Sequence, residues 1–270
     1  MEFISSRNNP KIKEVRLLKQ SKVRRRGGFC IVEGIWHFIE AVESWKQGGY
    51  ASLVRVFYAP KLLKSEIALQ TIEEVTRRGV PCFSVEEVVF RSIAEKENPQ
   101  GVLAIVRLRQ PSLEELNLQE SGWLVGLVEP QDPGNVGTIL RTMDAVGACG
   151  LFLLDGGVDP FHPEVIRASM GAIFWIPVWR LSFQEMVEWA AYNDVRIYGT
   201  SAHATKLYTE IESYERPCLL LLGSEREGLT TPQRQACHEL LRLPMCGRVS
   251  SLNLAVAAGV MLYHMHRKIG

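Results

Sequence analysis

Near the C-terminus, the sequence Leu243-Pro-Met-Cys-Gly-Arg-Val-Ser-Ser-Leu-Asn253 runs directly into Leu254-Ala-Val-Ala-Ala-Gly-Val-Met-Leu-Tyr263. The apolar residues on either side of the loop predict a short strand before it and an apolar helix after it. We expect Ser250 or Ser251 to be the N-cap of this helix, because a serine hydroxyl accepts hydrogen bonds from first-turn N–H groups. The stretch therefore predicts a strand, a loop and a capped helix in succession.

A second segment, Glu129-Pro-Gln-Asp-Pro-Gly-Asn-Val-Gly-Thr-Ile-Leu-Arg141, follows an apolar strand and opens an amphipathic helix. Asn135 is the expected N-cap of this helix. On a helical wheel, Arg141 lies opposite the apolar stripe, so its side chain is expected in solvent. Each residue alone is typical of an ordinary surface helix, whereas the spacing of the whole string is far more specific.

A third segment, Leu219-Leu-Leu-Leu-Gly-Ser-Glu-Arg-Glu-Gly-Leu229, is a strand followed by a loop. Gly223 comes directly after the strand, where the lack of a side chain lets a ligand approach the backbone. An ordinary turn at a strand terminus also accounts for this glycine. No GxGxxG fingerprint occurs in the chain, which argues against a conventional Rossmann nucleotide site.

The composition is that of a globular protein, with 46% hydrophobic and 23% charged residues over a length of 270 that suits two domains. The six cysteines form no CxxC pair, which favours reduced thiols in the cytoplasm and argues against a disulfide framework or a metal site. The N-terminus lacks the apolar core of a signal peptide, and no apolar run near the C-terminus is long enough for a bilayer. His264 and His266 are expected at the surface.

Positive charge is concentrated at the N-terminus. Residues 7–26 contain nine Lys and Arg and only one acidic residue, Glu14, although the whole chain has a formal charge of +1. Such a run is suited to neutralising nucleic-acid phosphates, and a solvated basic helix face accounts for it equally well. The candidate phosphate ligands are Arg7, Lys11, Arg24, Arg25 and Arg26.

Two α/β regions are expected, with domain limits at 1–107 and 122–270 and a polar linker at 108–121. In the first region, helices are predicted at 10–22, 35–45 and 65–78 and strands at 29–32, 53–58, 80–83 and 102–106. Ser84 and Glu87 predict a capping box for one more helix. In the second region, strands are predicted at 123–128, 150–154, 195–199, 218–222 and 240–243, separated by helices, which indicates a mainly parallel sheet.

Together, the three segments resemble the three motifs of the SpoU (TrmH-type) RNA 2′-O-ribose methyltransferases of the SPOUT superfamily, and His162–Gly171 resembles a family segment between the first two motifs. The resemblance is greatest to the two-domain 23S rRNA methyltransferases. It implies a C-terminal SPOUT domain with a parallel sheet and a deep trefoil knot, preceded by a smaller L30e-like RNA-binding domain. It also implies a homodimer formed through the catalytic domain, with the helix 254–265 at the seam.

The same resemblance assigns the site. The implied catalytic residues are Arg141, Asn135, Glu225, Ser251 and Asn253. The implied ligands of the cofactor S-adenosylmethionine are Leu222, Gly223, Gly228, Leu243, Met245 and Leu252. Because a guanidinium normally stays protonated, Arg141 is better suited to holding a phosphate and polarising the 2′-hydroxyl than to acting as the base. The phosphate or a water would then take the proton.

The implied activity is methyl transfer from S-adenosylmethionine to a ribose 2′-hydroxyl of RNA. The N-terminal domain of about 100 residues resembles rRNA-modifying members, which favours 23S rRNA over tRNA. The other functions considered are a tRNA methyltransferase, an antibiotic-resistance rRNA methyltransferase and a non-catalytic RNA-binding protein of ribosome assembly.

Overall fold

The computed structural model describes residues 2–116, 118 and 122–269. The chain divides into two units, of which the first comprises residues up to Gln110 together with Phe161–Trp175. The second comprises Pro111–Pro160 and the chain from Ile176 onwards. Residues 117 and 119–121 of the predicted linker lie outside the described residues, and the predicted domain limits stay a prediction.

The first unit is built on a five-stranded mixed sheet. Its elements before residue 111 are β1 (Glu2–Ile4), α1 (Pro10–Leu17), α2 (Ser21–Gly27), β2 (Phe29–Glu33), α3 (Ile35–Gln47), β3 (Ala51–Tyr58), α4 (Glu66–Arg77), β4 (Cys82–Val85), α5 (Glu87–Arg91) and β5 (Val102–Leu108). The strand order is β1-β4-β3-β5-β2. The β5 strand runs antiparallel to both neighbours, and the other pairs are parallel. The side chains of Ile12, Phe57 and Leu103 share one buried core.

The single helix predicted over 10–22 is two helices, because Arg24 folds back on the end of α1. Its guanidinium donates to the carbonyl oxygens of Leu18 (3.1 Å) and Lys19 (2.6 Å). These groups would otherwise lack partners at the helix terminus. The chain then restarts as α2 with Gln20 at the N-cap position.

The capping box predicted at Ser84 is wrong. Ser84 lies inside β4, paired with Phe3 of β1 on one side and Tyr58 of β3 on the other. The N-cap position of α5 is Glu86. Pairing with two strands uses the backbone of Ser84 in the sheet, and this outweighs the local signal.

The second unit is built on a seven-stranded sheet. Its elements are β6 (Trp123–Val128), α6 (Pro133–Val146), β7 (Leu151–Leu154), β8 (Val178–Leu181), α8 (Phe183–Tyr192), β9 (Arg196–Thr200), β10 (Lys206–Leu207), β11 (Cys218–Leu222), α9 (Thr231–Gln235), β12 (Glu239–Arg242) and α10 (Leu254–Lys268). The helix α7 (Pro163–Ala168) follows β7 in the chain but belongs to the first unit. All five predicted strands are present. The strands β8 and β10 were not predicted.

The sheet order, β10-β12-β9-β11-β6-β7-β8, positions the candidate site. Every pair of neighbouring strands is parallel, which confirms the predicted parallel sheet. The central strand β11 lies between β9 and β6, and β12 lies beside β9. The loops that follow these four strands therefore leave the sheet at the same edge. No helix of the described residues combines the length and apolarity needed to cross a bilayer.

His264 of α10 is half-buried, whereas a surface position was expected. The ring of His264 lies against the rings of Tyr208 (4.9 Å between centroids) and Tyr214 (5.9 Å). Its Nε2 is buried and has no hydrogen-bond partner among the described residues. Burial lowers the pKa of His264, and the nearby charge of Lys268 adds to this effect. His266, two residues on, is exposed as expected.

Candidate active site

The carboxylate of Glu225 joins the loop after β11 to the loop after β6. Its oxygens accept hydrogen bonds from the backbone N–H groups of Gln131 (3.1 and 3.3 Å) and Asp132 (3.3 Å). The side-chain amide of Asn135 donates a further bond of 3.2 Å. These hydrogen bonds leave the oxygens of Glu225 engaged within the protein.

Asn253 extends this network to the third segment. Its Nδ2 donates to Oδ1 of Asn135 at 2.9 Å, and its own Oδ1 accepts from the N–H groups of Ala255 (2.9 Å) and Val256 (3.3 Å). The three segments are thus connected through Glu225, Asn135 and Asn253.

Both predicted N-caps are wrong, and the structure replaces each by a neighbouring side chain. Asn253, rather than Ser250 or Ser251, caps α10. Asp132, rather than Asn135, caps α6 by accepting from the N–H of Gly134 at 2.7 Å. Asn135 lies within the first turn of α6, where its buried amide is directed at the other two segments.

A cavity of about 370 Å³ lies at the carboxyl edge of the sheet, a size within the range of small-molecule sites. All six residues predicted as cofactor ligands line it, namely Leu222, Gly223, Gly228, Leu243, Met245 and Leu252. Glu225 and Ser251 line it as well. The sequence analysis missed the residues that the end of β9 and the loop after it contribute, which are Thr200, Ser201, Ala202 and His203. Their position after a predicted strand was the available signal, but only the strand order places that strand next to β11.

Gly223 also has a structural role that was not expected. The loop closes on itself, because the N–H of Gly228 donates to the carbonyl of Ser224 at 3.0 Å. A Cβ atom on Gly223 would collide with the backbone of Gly228 and Leu229. The glycine therefore makes room for the loop's own backbone and allows the tight turn that forms one wall of the cavity.

Arg141 is exposed on α6, on the side predicted from the helical wheel. It forms no hydrogen bond or ion pair with any residue that the structure describes, and it is not among the residues that line the cavity. Asn135 and Asn253 also lie outside the cavity lining. The structure therefore brings Asn135, Glu225 and Asn253 together and leaves Arg141 apart from them.

The thiols of Cys218 and Cys237 are unsuited to nucleophilic chemistry. Burial raises the pKa of Cys218 to about 12 and that of Cys237 to about 12. Both thiols therefore stay protonated at neutral pH. Within the described ranges, no group of three or more His, Cys, Asp or Glu side chains is arranged to hold a metal ion.

Of the five candidate phosphate ligands, Arg7, Arg25 and Arg26 are exposed. Lys11 is half-buried and forms an ion pair of 2.8 Å with Glu2. Arg24 is only 3% exposed, and its guanidinium is bonded to the end of α1. The prediction that Arg24 binds phosphate is therefore wrong, because its charged group is already enclosed by carbonyl oxygens.

Comparison with known proteins identifies the family. Residues 122–263 match the model of the SpoU rRNA Methylase family. This range includes the loops that build the cavity. The chain belongs to the SpoU rRNA methylase family. The resemblance predicted from the three segments is confirmed. Residues 9–104 match a second family model, the MRM3-like substrate binding domain. This range precedes the SpoU match in the chain.

Similar proteins resemble this chain over nearly its whole length. The Bacillus subtilis protein named 23S rRNA (guanosine(2553)-2′-O)-methyltransferase RlmP is 31% identical over 265 residues, which are 98% of this chain and 99% of that protein. The AdoMet-bound structure of an rRNA methyltransferase from Sinorhizobium meliloti superposes with a TM-score of 0.88 at 33% identity, covering 98% of this chain and 97% of that one. The SpoU methyltransferase AviRb from Streptomyces viridochromogenes, in complex with AdoMet, gives a TM-score of 0.85 at 27% identity, with 96% and 98% covered.

Proposed function

We propose that the chain transfers the methyl group of S-adenosylmethionine to a ribose 2′-hydroxyl of 23S rRNA. The observation that carries this proposal is the hydrogen-bonded connection of Glu225, Asn135 and Asn253 beside a single cavity. Membership of the SpoU rRNA methylase family supports the chemistry. The relatives named as 23S rRNA 2′-O-methyltransferases support the substrate.

The cavity suits S-adenosylmethionine in size and in chemistry. Leu222, Leu243, Met245 and Leu252 offer apolar side chains for the flat adenine ring. The turn from Gly223 to Gly228 offers backbone groups for the polar methionine end. When bound, the cofactor supplies an electrophilic methyl group on a sulfonium.

The remaining work of catalysis belongs to the chain's own residues. The 2′-hydroxyl must be held about 3 Å from the methyl carbon, and positioning of this kind supplies much of the rate. Because its oxygens accept bonds from three groups, Glu225 holds the loops in place instead of acting as a base. Arg141 binds a phosphate and polarises the 2′-hydroxyl. A phosphate or water takes the proton of that hydroxyl. Ser251 lies on the cavity wall.

The proposal includes a homodimer formed through the SpoU domain. Three apolar side chains on one face of α10 are exposed, Val256 by 52%, Val260 by 37% and Tyr263 by 56%. A continuous apolar face of this kind is typical of an interface. Since α10 packs on α6, a second copy that covers this face also lies near the exposed Arg141. Arg141 would then act on RNA held at the cavity of the partner subunit.

The fold details implied by the resemblance belong to the same proposal. We assign 1–107 to an L30e-like RNA-binding domain and 122–270 to a knotted SPOUT domain, with 108–121 as the linker. The α/β architecture of the first unit, with its mixed five-stranded sheet, supports the L30e-like assignment. The bond between Asn253 and Asn135, which brings the chain end onto α6, supports a trefoil knot formed by 243–253. An experimental structure that traces 243–253 tests the knot.

The scattered free cysteines support a cytoplasmic location.

Mass-spectrometric mapping of 2′-O-methyl groups in total RNA, with and without the gene, tests the function. We expect one methyl group in 23S rRNA to disappear with the gene and to return with the wild-type copy but not with Arg141→Ala. Loss of a tRNA methyl group instead would make the chain a tRNA enzyme. An unchanged methylation map would favour a non-catalytic protein, and a drug-sensitivity change tied to the lost methyl group would favour a resistance enzyme.

Mixing two inactive variants tests the shared site. Arg141→Ala and Gly223→Ala would each lack one part of the site, and a mixed dimer would contain one intact combination. We expect the equimolar mixture to recover about a quarter of the wild-type activity, because half of the randomly formed dimers have one intact site. No recovery would place Arg141 and the cavity of the same subunit together.

A further inference from the structure

The cavity is lined by two arginines, and they differ in how their charges are used. The guanidinium of Arg234 donates to the carbonyl of Leu229 at 2.6 Å and to Oγ1 of Thr231 at 2.9 Å. Arg226 is exposed and forms no hydrogen bond or ion pair within the part of the chain that the structure describes. Of the two, Arg226 is therefore the one whose charge is available to a ligand.

The turn that contains Arg226 is closed by hydrogen bonds on both sides of this residue. Arg226 lies at the tip of the turn closed by the bond between Gly228 and Ser224 (3.0 Å), and the N–H of Glu227 donates to Oγ of Ser224 at 3.2 Å. The preceding residue, Glu225, is bonded to the loop after β6. The two neighbouring side chains therefore have different roles. Glu225 holds the turn in place, and Arg226 presents a cation on the cavity side.

A ribose presented for 2′-O-methylation brings an anion with it, because the phosphodiester on the 3′ oxygen is attached to the neighbouring carbon. An arginine binds such a phosphate with two parallel hydrogen bonds and so fixes its orientation as well as its position. Arg141 of the same subunit does not line this cavity, whereas Arg226 does. We propose that Arg226 binds the phosphodiester next to the target ribose and is a positioning residue for RNA, an inference that rests on the proposed function.

The carboxylate of S-adenosylmethionine is a second oxyanion that an arginine could bind. Small-molecule sites bury most of their ligand, so the donors to that carboxylate are expected inside the cavity. The side chain of Arg226 lines the cavity and is also exposed, so it is accessible to a polynucleotide outside the cavity. The geometry therefore favours the phosphodiester over the cofactor carboxylate.

Three variants test the assignment on unmodified 23S rRNA transcribed in vitro. Arg226→Gln removes the charge, Arg226→Lys keeps the charge without the paired donors, and Arg216→Gln is the matched control. Arg216 is an exposed arginine in the same unit, just before the amino end of β11, whereas the cavity lies at the carboxyl end. For each variant, the measurements are KM for RNA, kcat, equilibrium RNA binding over a range of salt, and S-adenosylmethionine binding by calorimetry.

We expect Arg226→Gln to raise KM for RNA about tenfold, the lower end for one lost charge-assisted bond, with kcat within about twofold of wild type. The log-log salt slope of RNA binding should fall by about 0.7, corresponding to one phosphate contact on a single strand. Arg226→Lys should recover part of the loss. Cofactor binding should be unchanged, and Arg216→Gln should match wild type in every measurement.

Two results would overturn the assignment. Weakened cofactor binding by Arg226→Gln, with RNA binding unchanged, would assign Arg226 to the cofactor carboxylate. Equal behaviour of Arg226→Gln and Arg216→Gln would show that the charge at 226 is merely solvated. The equilibrium RNA measurement needs no methyl transfer, so it tests Arg226 even if the wild-type protein proves inactive, which would count against the proposed function alone.

Discussion

The side-chain amide of Asn253 donates a 2.9 Å hydrogen bond to the side-chain oxygen of Asn135, which lies 118 residues earlier in the chain. The same Asn253 caps α10, and the same Asn135 donates to Glu225. One side chain therefore sets both where the last helix begins and how the three loops of the site are spaced.

Asn253→Ala should lower both stability and activity. The change leaves the N–H groups of Ala255 and Val256 without their cap and leaves the oxygen of Asn135 without its donor. We expect a loss of about 1–2 kcal/mol in the free energy of unfolding, measured by urea titration, together with reduced methyl transfer. Ser250→Ala is the matched control and should leave stability unchanged. A larger loss for Ser250→Ala than for Asn253→Ala would return the cap to the serine.

Gly223→Ala should abolish cofactor binding. Its Cβ atom would meet the backbone of Gly228 and Leu229, so the turn could not close. Overpacking of this kind costs about 1–3 kcal/mol, and we expect calorimetry to detect no S-adenosylmethionine binding at micromolar concentration. The matched change Gly247→Ala, at a glycine with open space around it, should be tolerated. Normal binding by Gly223→Ala would contradict the role assigned to this turn.

Arg141→Ala should separate activity from stability. The side chain is exposed and has no partner among the described residues, so its removal should change the free energy of unfolding by less than about 0.5 kcal/mol. Methyl transfer should fall by at least about two orders of magnitude, as for a lost transition-state contact. A variant that melts several degrees lower while keeping its turnover would show that Arg141 is structural.

The three consecutive arginines of α2 should have different roles. Replacing the exposed Arg25 and Arg26 with Ala should weaken RNA binding and reduce its log-log salt slope by up to about 0.9 for each lost phosphate contact. Arg24→Ala should instead lower the free energy of unfolding by about 1–3 kcal/mol, because two carbonyl oxygens at the end of α1 lose a charged donor. An unchanged salt slope in the double variant would remove α2 from the RNA-binding surface.

Stability should fall in mild acid, in part through His264. Burial lowers the pKa of His264 below its ordinary value of 6.5, so below about this pH the unfolded chain takes up a proton that the folded chain excludes. The free energy of unfolding therefore decreases as the pH falls from 6.5 through the lowered pKa. His264→Phe, which cannot be protonated, should show a shallower decrease in urea titrations at pH 7.5 and pH 5. His266→Gln, at an exposed histidine, is the control. If the stability of His264→Phe fell with pH as steeply as that of His266→Gln, His264 would be excluded as the cause.

The sequence by itself determined five of the seven strands of the sheet in the second unit, since periodicity and strand-end glycines act locally. It also identified the three segments that meet in the folded chain, because the spacing within each segment is a property of the chain alone. All six residues assigned to the cofactor by resemblance line one cavity.

Only the tertiary structure decided which polar groups meet. Ser84 and Glu87 have the spacing of a capping box, but pairing with two neighbouring strands holds Ser84 in the sheet. Arg24 belongs to a basic run in the sequence, yet its guanidinium is enclosed by the end of α1. Asn135 was expected to cap its own helix, and a partner 118 residues away takes its side chain instead. The physical reason is common to all three, since a local propensity of about 1 kcal/mol is outweighed by strand pairing, burial and long-range hydrogen bonds that form only in the folded chain.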